Sequence, residues 1–206
     1  MRIRWLWRNG IWLETAVFLL FFGLAVTILP QLSPTFDEEG FITRGLGYLR
    51  GENRQMRVGH PLGLNALNAT LLVADDSVHL PSNDPSWQLP NFHRPSELFL
   101  WEIGNDVAHV MFLARLPTIW LGLLLLALVY RWAWELSRRR RAALLALTLA
   151  ALDPNLLANG RLATTDFGLA TFALLAGFLL WRFVKRPSWA RAVWGGIGFG
   201  LLQNTK

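Results

Sequence analysis

The chain alternates long apolar runs with short polar joints. Residues 11–29 (IWLETAVFLLFFGLAVTIL) carry one charge, Glu14, and residues 116–130 (LPTIWLGLLLLALVY) carry none, with Arg115 at their edge. Residues 142–152 extend to Ala158 if Asp153 is tolerated; residues 167–181 follow Asp166; residues 192–202 run almost to the last residue. A helix needs about 20 apolar residues to cross the hydrocarbon core. The first run is long enough unaided, and the second is if it begins near Val110. The third and fourth use flanking residues, and the fifth reads as an unfinished helix. The pattern therefore predicts an all-α, polytopic membrane protein, because helices satisfy their own backbone hydrogen bonds in lipid. It has about five transmembrane helices, at about 11–30, 110–131, 142–158, 166–183 and 192–206. The first run follows Arg2, Arg4 and Arg8 as a signal peptide would, yet it is long and no small-residue cleavage site follows it. It reads as an uncleaved span.

Between the first two spans lies an outer loop, residues 31–109, too long for a passive connection. Phe41, Gly45, Tyr48 and Leu49 fall at helical spacing and predict an amphipathic helix lying along the membrane surface. It opens near Asp37-Glu38-Glu39, where acids suit the positive end of a helix, and ends near Gly51. Residues 61–73 predict a second, more apolar helix with Pro61 in its first turn. Residues 81–95 hold four prolines and read as irregular, and residues 96–113 as an amphipathic approach to the second span.

Composition sharpens this picture in two ways. The absence of cysteine removes disulfides, thiolate metal sites and cysteine nucleophiles. The net charge of +6 could suggest nucleic-acid binding. Its distribution argues against that. Residues 31–110 carry five arginines against ten acids, a balance of −5, and the rest of the chain carries +11. The cations cluster at 2–8, 131–141 and 182–191, every second joint. Lysine and arginine favour the cytoplasmic side, so the N-terminus is expected inside and the 31–110 segment and the 153–166 turn outside. A membrane, not a nucleic acid, is the expected partner.

Several residues could carry chemistry, and each has a structural alternative. Asp37 and Glu38, at the membrane edge after the first span, suit a general base, but composition alone favours their capping the start of a helix. Asp166 at the mouth of the fourth span is either functional or an N-terminal residue of that helix beside Thr164 and Thr165. Arg161 is the one cation in the outer 153–166 turn and so needs an anion. Asp153 or Asp166 would satisfy it, as would a phosphate, which guanidinium binds through paired hydrogen bonds. Arg115 has the same two readings. His60 is either a metal or phosphate ligand or a packed side chain, and no zinc-site pattern accompanies it. No P-loop or Gly-x-Ser-x-Gly elbow is present.

The ordered set says more than any single residue. Pro34-Thr35-Phe36-Asp37-Glu38 follows the first span, then come Gly47-Tyr48-Leu49-Arg50-Gly51 and Gly59-His60-Pro61-Leu62. Arg115-Leu116-Pro117 opens the second span, and residues 154–166 (PNLLANGRLATTD) join the third and fourth. This resembles the N-terminal part of the C-type glycosyltransferases of family 39, the protein-mannosyltransferase-like and aminoarabinose-transferase-like group. It departs from them at His60-Pro61-Leu62, where relatives often carry a second proline, and at Asn159, where many carry histidine.

The resemblance implies an integral membrane enzyme, of a bacterial plasma membrane, with its active site on the outer face. It takes a sugar, hexose or pentose, from a polyprenyl-phosphate carrier and passes it with inversion to a protein, lipid or glycan acceptor. By the same resemblance Asp37 is the general base. Glu38 orients the site or helps hold a divalent metal ion, for which His60 is another candidate ligand, no cofactor being certain. Arg161, Arg115 and His60 neutralise the carrier phosphate, and Asp166 positions Arg161 or the acceptor. Members of the group are longer, so the chain is expected to be the front portion of such a transferase, which as a fragment need not be active. The competing readings are a non-catalytic membrane scaffold and a transporter, although no broken-helix pair or central ion site supports the latter.

Overall fold

A computed structural model of the chain describes residues 2–52, 61–89 and 93–206, with side chains from residue 12 onward. His60 lies outside the described residues. All regular structure among those residues is helical. Helix α1 (Arg2–Thr27) gives way to a 3₁₀ turn at Leu29–Gln31, where Pro30 lacks the N–H that would continue the α-helix. The segment after this turn contains α2 (Phe36–Arg50), α3 (Gly63–Ala69) and α4 (His93–Glu97), and α5 (Val107–Ser137) follows.

Helix α5 runs antiparallel to α1. Glu14 meets Tyr130 near one end, and Ala25 and Leu29 meet Ile119 toward the other. Arg138 ends α5 in the left-handed region, at φ 55°, and the chain reverses into α6 (Arg140–Ala151). Twelve residues rise only about 18 Å, short of the ~30 Å hydrocarbon core. The predicted 142–158 segment is in fact broken. Leu152 leaves the helix, and the Asp153 carboxylate accepts the Leu156 N–H at 2.9 Å to start α7 (Pro154–Asn159). Helix α8 (Thr165–Lys185) lies parallel to α5, Phe167 meeting Gly122 at one level and Phe178 meeting Trp132 at another. Helix α9 (Trp189–Gln203) returns along α8, with Gly198 against Leu179.

Among the described residues three stretches are long and apolar enough to cross a membrane: Trp12–Gln31, Val107–Ser137 and Thr165–Lys185. The protein is an all-α integral membrane protein. The other two expected spans are represented by α6 with α7 and by the 15-residue α9.

The segment between α1 and α5 packs on a core around Ile42, Leu46, Leu72, Val78, Trp87 and Phe99. Burying each large side chain contributes about 1.5–3 kcal/mol. Helix α2 begins at Thr35 and stops at Gly51, whose φ of 68° suits a residue without Cβ, so its predicted limits hold. Of its predicted face Gly45 is buried and Tyr48 is 57% exposed, while Glu38, Ile42 and Leu46 are buried beside Gly45. A Cβ at Gly45 would stand 2.0 Å from the Asn65 carbonyl oxygen, so α3 crosses α2 at that glycine. The expected helix over 96–113 is also interrupted. A π-helical turn at Leu98–Glu102 ends before Gly104 (φ 87°), and the Asp106 carboxylate accepts the His109 N–H at 3.1 Å to begin α5. Arg50 fastens the loop after α3 by donating to the carbonyls of Leu72, Val73, Asp75 and Val78.

Candidate functional site

Glu38 sits at the third position of α2 and is fully buried. One carboxylate oxygen accepts the Arg115 Nε–H at 2.8 Å and the Ala163 backbone N–H at 2.8 Å. The other accepts Arg115 Nη2 at 2.8 Å, the Thr35 N–H at 2.9 Å and the Thr35 hydroxyl at 3.0 Å. Burial pushes the carboxyl up. The Arg115 and Ala163 hydrogen bonds, the Arg115 charge and the Thr35 N–H outweigh it and hold the acid below the usual glutamate range. Arg115, also fully buried, donates in addition to the Leu32 and Ser33 carbonyls at 3.0 Å each.

This pair knots four segments together: the strand of chain leaving α1, the start of α2, the upper turns of α5, and the turn before α8. Its chemistry differs from two of the expected roles. Arg115 commits Nε, Nη1 and Nη2 inside the protein and presents no surface to a phosphate. Glu38 accepts five hydrogen bonds against roughly four lone-pair directions, so nothing is left for a metal. Among the described residues no group of three histidine, aspartate or glutamate side chains is set to hold one.

The knot places the exposed acids. Asp37 is adjacent to Glu38 and exposed, and Asp166 is exposed three residues beyond Ala163 in the first turn of α8. Helix α9 then brings Lys206 to the same end, its Nζ 2.7 Å from Asp166 Oδ1. The ammonium pKa is raised, first by the hydrogen bond to Asp166, then by the charge of Asp166 and, after a small opposing effect of burial, that of Asp37. Two carboxylates 129 positions apart therefore share the field of one cation. Lys206 was not singled out as a site residue from sequence.

Arg161 is held apart from this trio. It lines a groove of about 420 Å³ with Leu24, Thr27, Ile28 and Gln31 at the end of α1 and Pro154 and Leu157 of α7. Neither Asp153 nor Asp166 pairs with it: Asp153 caps α7 and Asp166 holds Lys206. Among the described residues its side chain has no ion-pair partner. A cation beside an apolar trough at the membrane edge suits an anion carried on a hydrocarbon chain.

Comparison with known families bears on this arrangement directly. The model of the dolichyl-phosphate-mannose-protein mannosyltransferases matches residues 96–206, more than half of the chain. The chain belongs to that family. Neither the curated proteins nor the solved structures contain a match. Family members are membrane glycosyltransferases that use polyprenyl-phosphate-linked sugar donors. The matched region of this mannosyltransferase-family chain includes Arg115, Arg161, Asp166 and Lys206. Asp37 and Glu38 lie before it and are tied to it through the Glu38–Arg115 and Glu38–Ala163 contacts.

Proposed function

We propose that this protein supplies the catalytic face for moving a sugar from a polyprenyl-phosphate carrier to an acceptor hydroxyl on the non-cytoplasmic side of the membrane. The supporting observation is the ion pair of Asp166 with Lys206 at the end of the bundle opposite the arginine clusters, the end to which the buried Glu38 pair also ties Asp37. Asp37 is the general base. Its carboxylate takes the acceptor proton as the acceptor oxygen attacks the anomeric carbon. The bond from that carbon to the phosphate oxygen breaks, its electron pair leaves with the polyprenyl phosphate, and the anomeric centre inverts.

Arg161 stands at the mouth of the apolar groove and neutralises the phosphate as it leaves, while the carrier's hydrocarbon lies against Leu24 and Leu157. Asp166 and Lys206 fix each other and orient the acceptor. Glu38 and Arg115 take no part in the chemistry; they hold Asp37 and the 161–166 turn in register. The N-terminus and the arginine clusters face the cytoplasm, in keeping with the excess of cations there.

The test is sugar transfer in sealed right-side-out membrane vesicles, with a radiolabelled polyprenyl-phosphate sugar in the bilayer and an impermeant acceptor outside. Asp37→Asn is expected to lower transfer by about 10²–10⁴-fold with unchanged membrane insertion. Near-parental transfer by that variant removes Asp37 from the mechanism and favours a scaffold role. Transfer seen only with acceptor sealed inside overturns the orientation.

A further inference from the structure

At the end of the bundle away from Asp37, the turns α5–α6 and α8–α9 enclose a pocket of about 380 Å³. That is within the range of small-ligand sites, about 300–1,000 Å³. Six cations line it: Arg131, Arg138, Arg182, Lys185, Arg186 and Arg191. Glu135 is the one acid in its wall, and it is already engaged, with Arg131 at 2.8 Å and Arg182 at 3.8 Å. Arg191 is fixed by donating to the carbonyls of Arg182 and Arg186, so its charge stands over the last turn of α8. Arg138, Lys185, Arg186 and Arg191 have no carboxylate partner among the described residues. Like charges gathered in a concave site repel one another, and a bound anion relieves that cost.

The remaining wall says which anion. Trp134 and Trp181 line the pocket, with Arg131 4.9 Å from the Trp134 ring centre and Lys185 4.8 Å from that of Trp181. Tryptophan beside arginine is the composition of the membrane–water boundary. On the same helices Leu136 of α5 and Leu180 and Val184 of α8, next in sequence to residues that line the pocket, are exposed, giving acyl chains an apolar surface beside it. A free phosphate would need the charge alone, whereas this site joins charge to an adjoining apolar surface.

We infer that this pocket binds the phosphodiester headgroup of an anionic glycerophospholipid, the cations of α8 and the α8–α9 turn contacting the phosphate and the chains lying along α8. Basic pockets between transmembrane helices have the charge and shape for such headgroups. The inference stands apart from the sugar-transfer reading, since it uses neither Asp37 nor Arg161 and its test does not measure transfer.

The test places the full chain in nanodiscs of phosphatidylcholine containing up to about 30% phosphatidylglycerol, a range over which the anionic surface potential is already strong. Lipids retained after gentle extraction are then counted by mass spectrometry. Phosphatidylglycerol is expected to be retained well above its share of the bilayer. Retention in proportion to its share overturns the proposal without any variant being needed. Lys185→Gln with Arg186→Gln is expected to weaken retention by about tenfold or more. Arg139→Gln with Arg141→Gln removes the same charge outside the pocket and is expected to leave retention nearly unchanged. Equal losses for the two pairs reduce the effect to diffuse surface charge and overturn the site. Millimolar inorganic phosphate is expected not to displace the lipid; displacement by phosphate overturns the lipid assignment in favour of a free-phosphate site.

Discussion

Replacing Glu38 by glutamine tests the buried knot directly. The change keeps the side chain's size but removes its charge and turns one oxygen into an NH₂ donor. If the amide nitrogen takes the Oε2 position, it faces three donors: Arg115 Nη2, the Thr35 N–H and the Thr35 hydroxyl. If it takes the Oε1 position, it faces Arg115 Nε and the Ala163 N–H. Neither orientation avoids donor-to-donor contacts, and each buried donor left unpaired costs about 1–3 kcal/mol. The Arg115 charge also loses its counter-ion where no water reaches it. Breaking one side of such a pair costs about 3–5 kcal/mol. For a chain of this size each kcal/mol lowers the melting temperature by about 2–4 °C, so a fall of roughly 6–20 °C is expected. The assay is thermal unfolding in a fixed detergent, read by circular dichroism. Arg115→Met is expected to fall comparably, because it strands the Glu38 charge and frees the Leu32 and Ser33 carbonyls. Combining Arg115→Met with Glu38→Leu is expected to cost clearly less than the sum of the two single losses, because no charge is left stranded, although the Leu32 and Ser33 carbonyls and the Thr35 and Ala163 N–H groups still lose their partners. Single variants that melt within about 2 °C of the parent, less than one kcal/mol on the same scale, or strictly additive losses in the double variant, refute the knot as a coupled unit.

The other predictions concern separate parts of the molecule. Gly45→Ala puts a methyl 2.0 Å from the Asn65 carbonyl oxygen, so α3 must move off α2. A loss of about 1–3 kcal/mol is expected in the same melting assay, and a neutral effect would contradict the close crossing. Asp75 is pulled from 3.8 to about 2, mainly by its hydrogen bonds to the Ser77 hydroxyl and His109. A lowered folded value means stability that is full above about pH 4 and fades as the pH falls toward 2. Asp75→Asn is therefore expected to melt below the parent at pH 5, with the two curves converging near pH 2; a gap that widens on acidification would reverse the sign. Arg161→Gln is expected to raise the KM for the polyprenyl-phosphate sugar while the melting temperature stays put, because the guanidinium has no ion-pair partner among the described residues to lose. Unchanged kinetics would remove it from the groove's function.

Much of the fold follows from local interactions and is legible without coordinates. The limits of α2 lie in the Thr35-to-Glu38 start and in Gly51, and α7 begins where Asp153 precedes Pro154. These signals act within a turn of helix. The buried face of α2 is not local. The apolar spacing picks out Phe41, Gly45, Tyr48 and Leu49, but which of them is covered depends on α3 crossing at Gly45, and no periodicity records that. The interruption of the 142–158 segment was signalled by Asp153, yet its consequence, a groove between α7 and the end of α1, depends on where α1 lies.

The candidate site divides in the same way. Sequence alone determined the membrane class, through runs of apolar residues that water would not tolerate. It also set apart the two ends of the bundle, through a charge split of −5 against +11, and it singled out Asp37, Glu38, Arg115, Arg161 and Asp166. Tertiary structure decided which of these are buried against one another and which stand exposed. Glu38 and Arg115 are 77 positions apart, and only the antiparallel return of α5 along α1 brings their charges together out of water. Once paired, they are consumed. Lys206 is 40 positions from Asp166 and meets it only because α9 doubles back along α8. Hydropathy and charge counts report what each segment does with solvent. Which side chains share a site depends on how the helices return on one another, and that is settled by packing across the whole bundle.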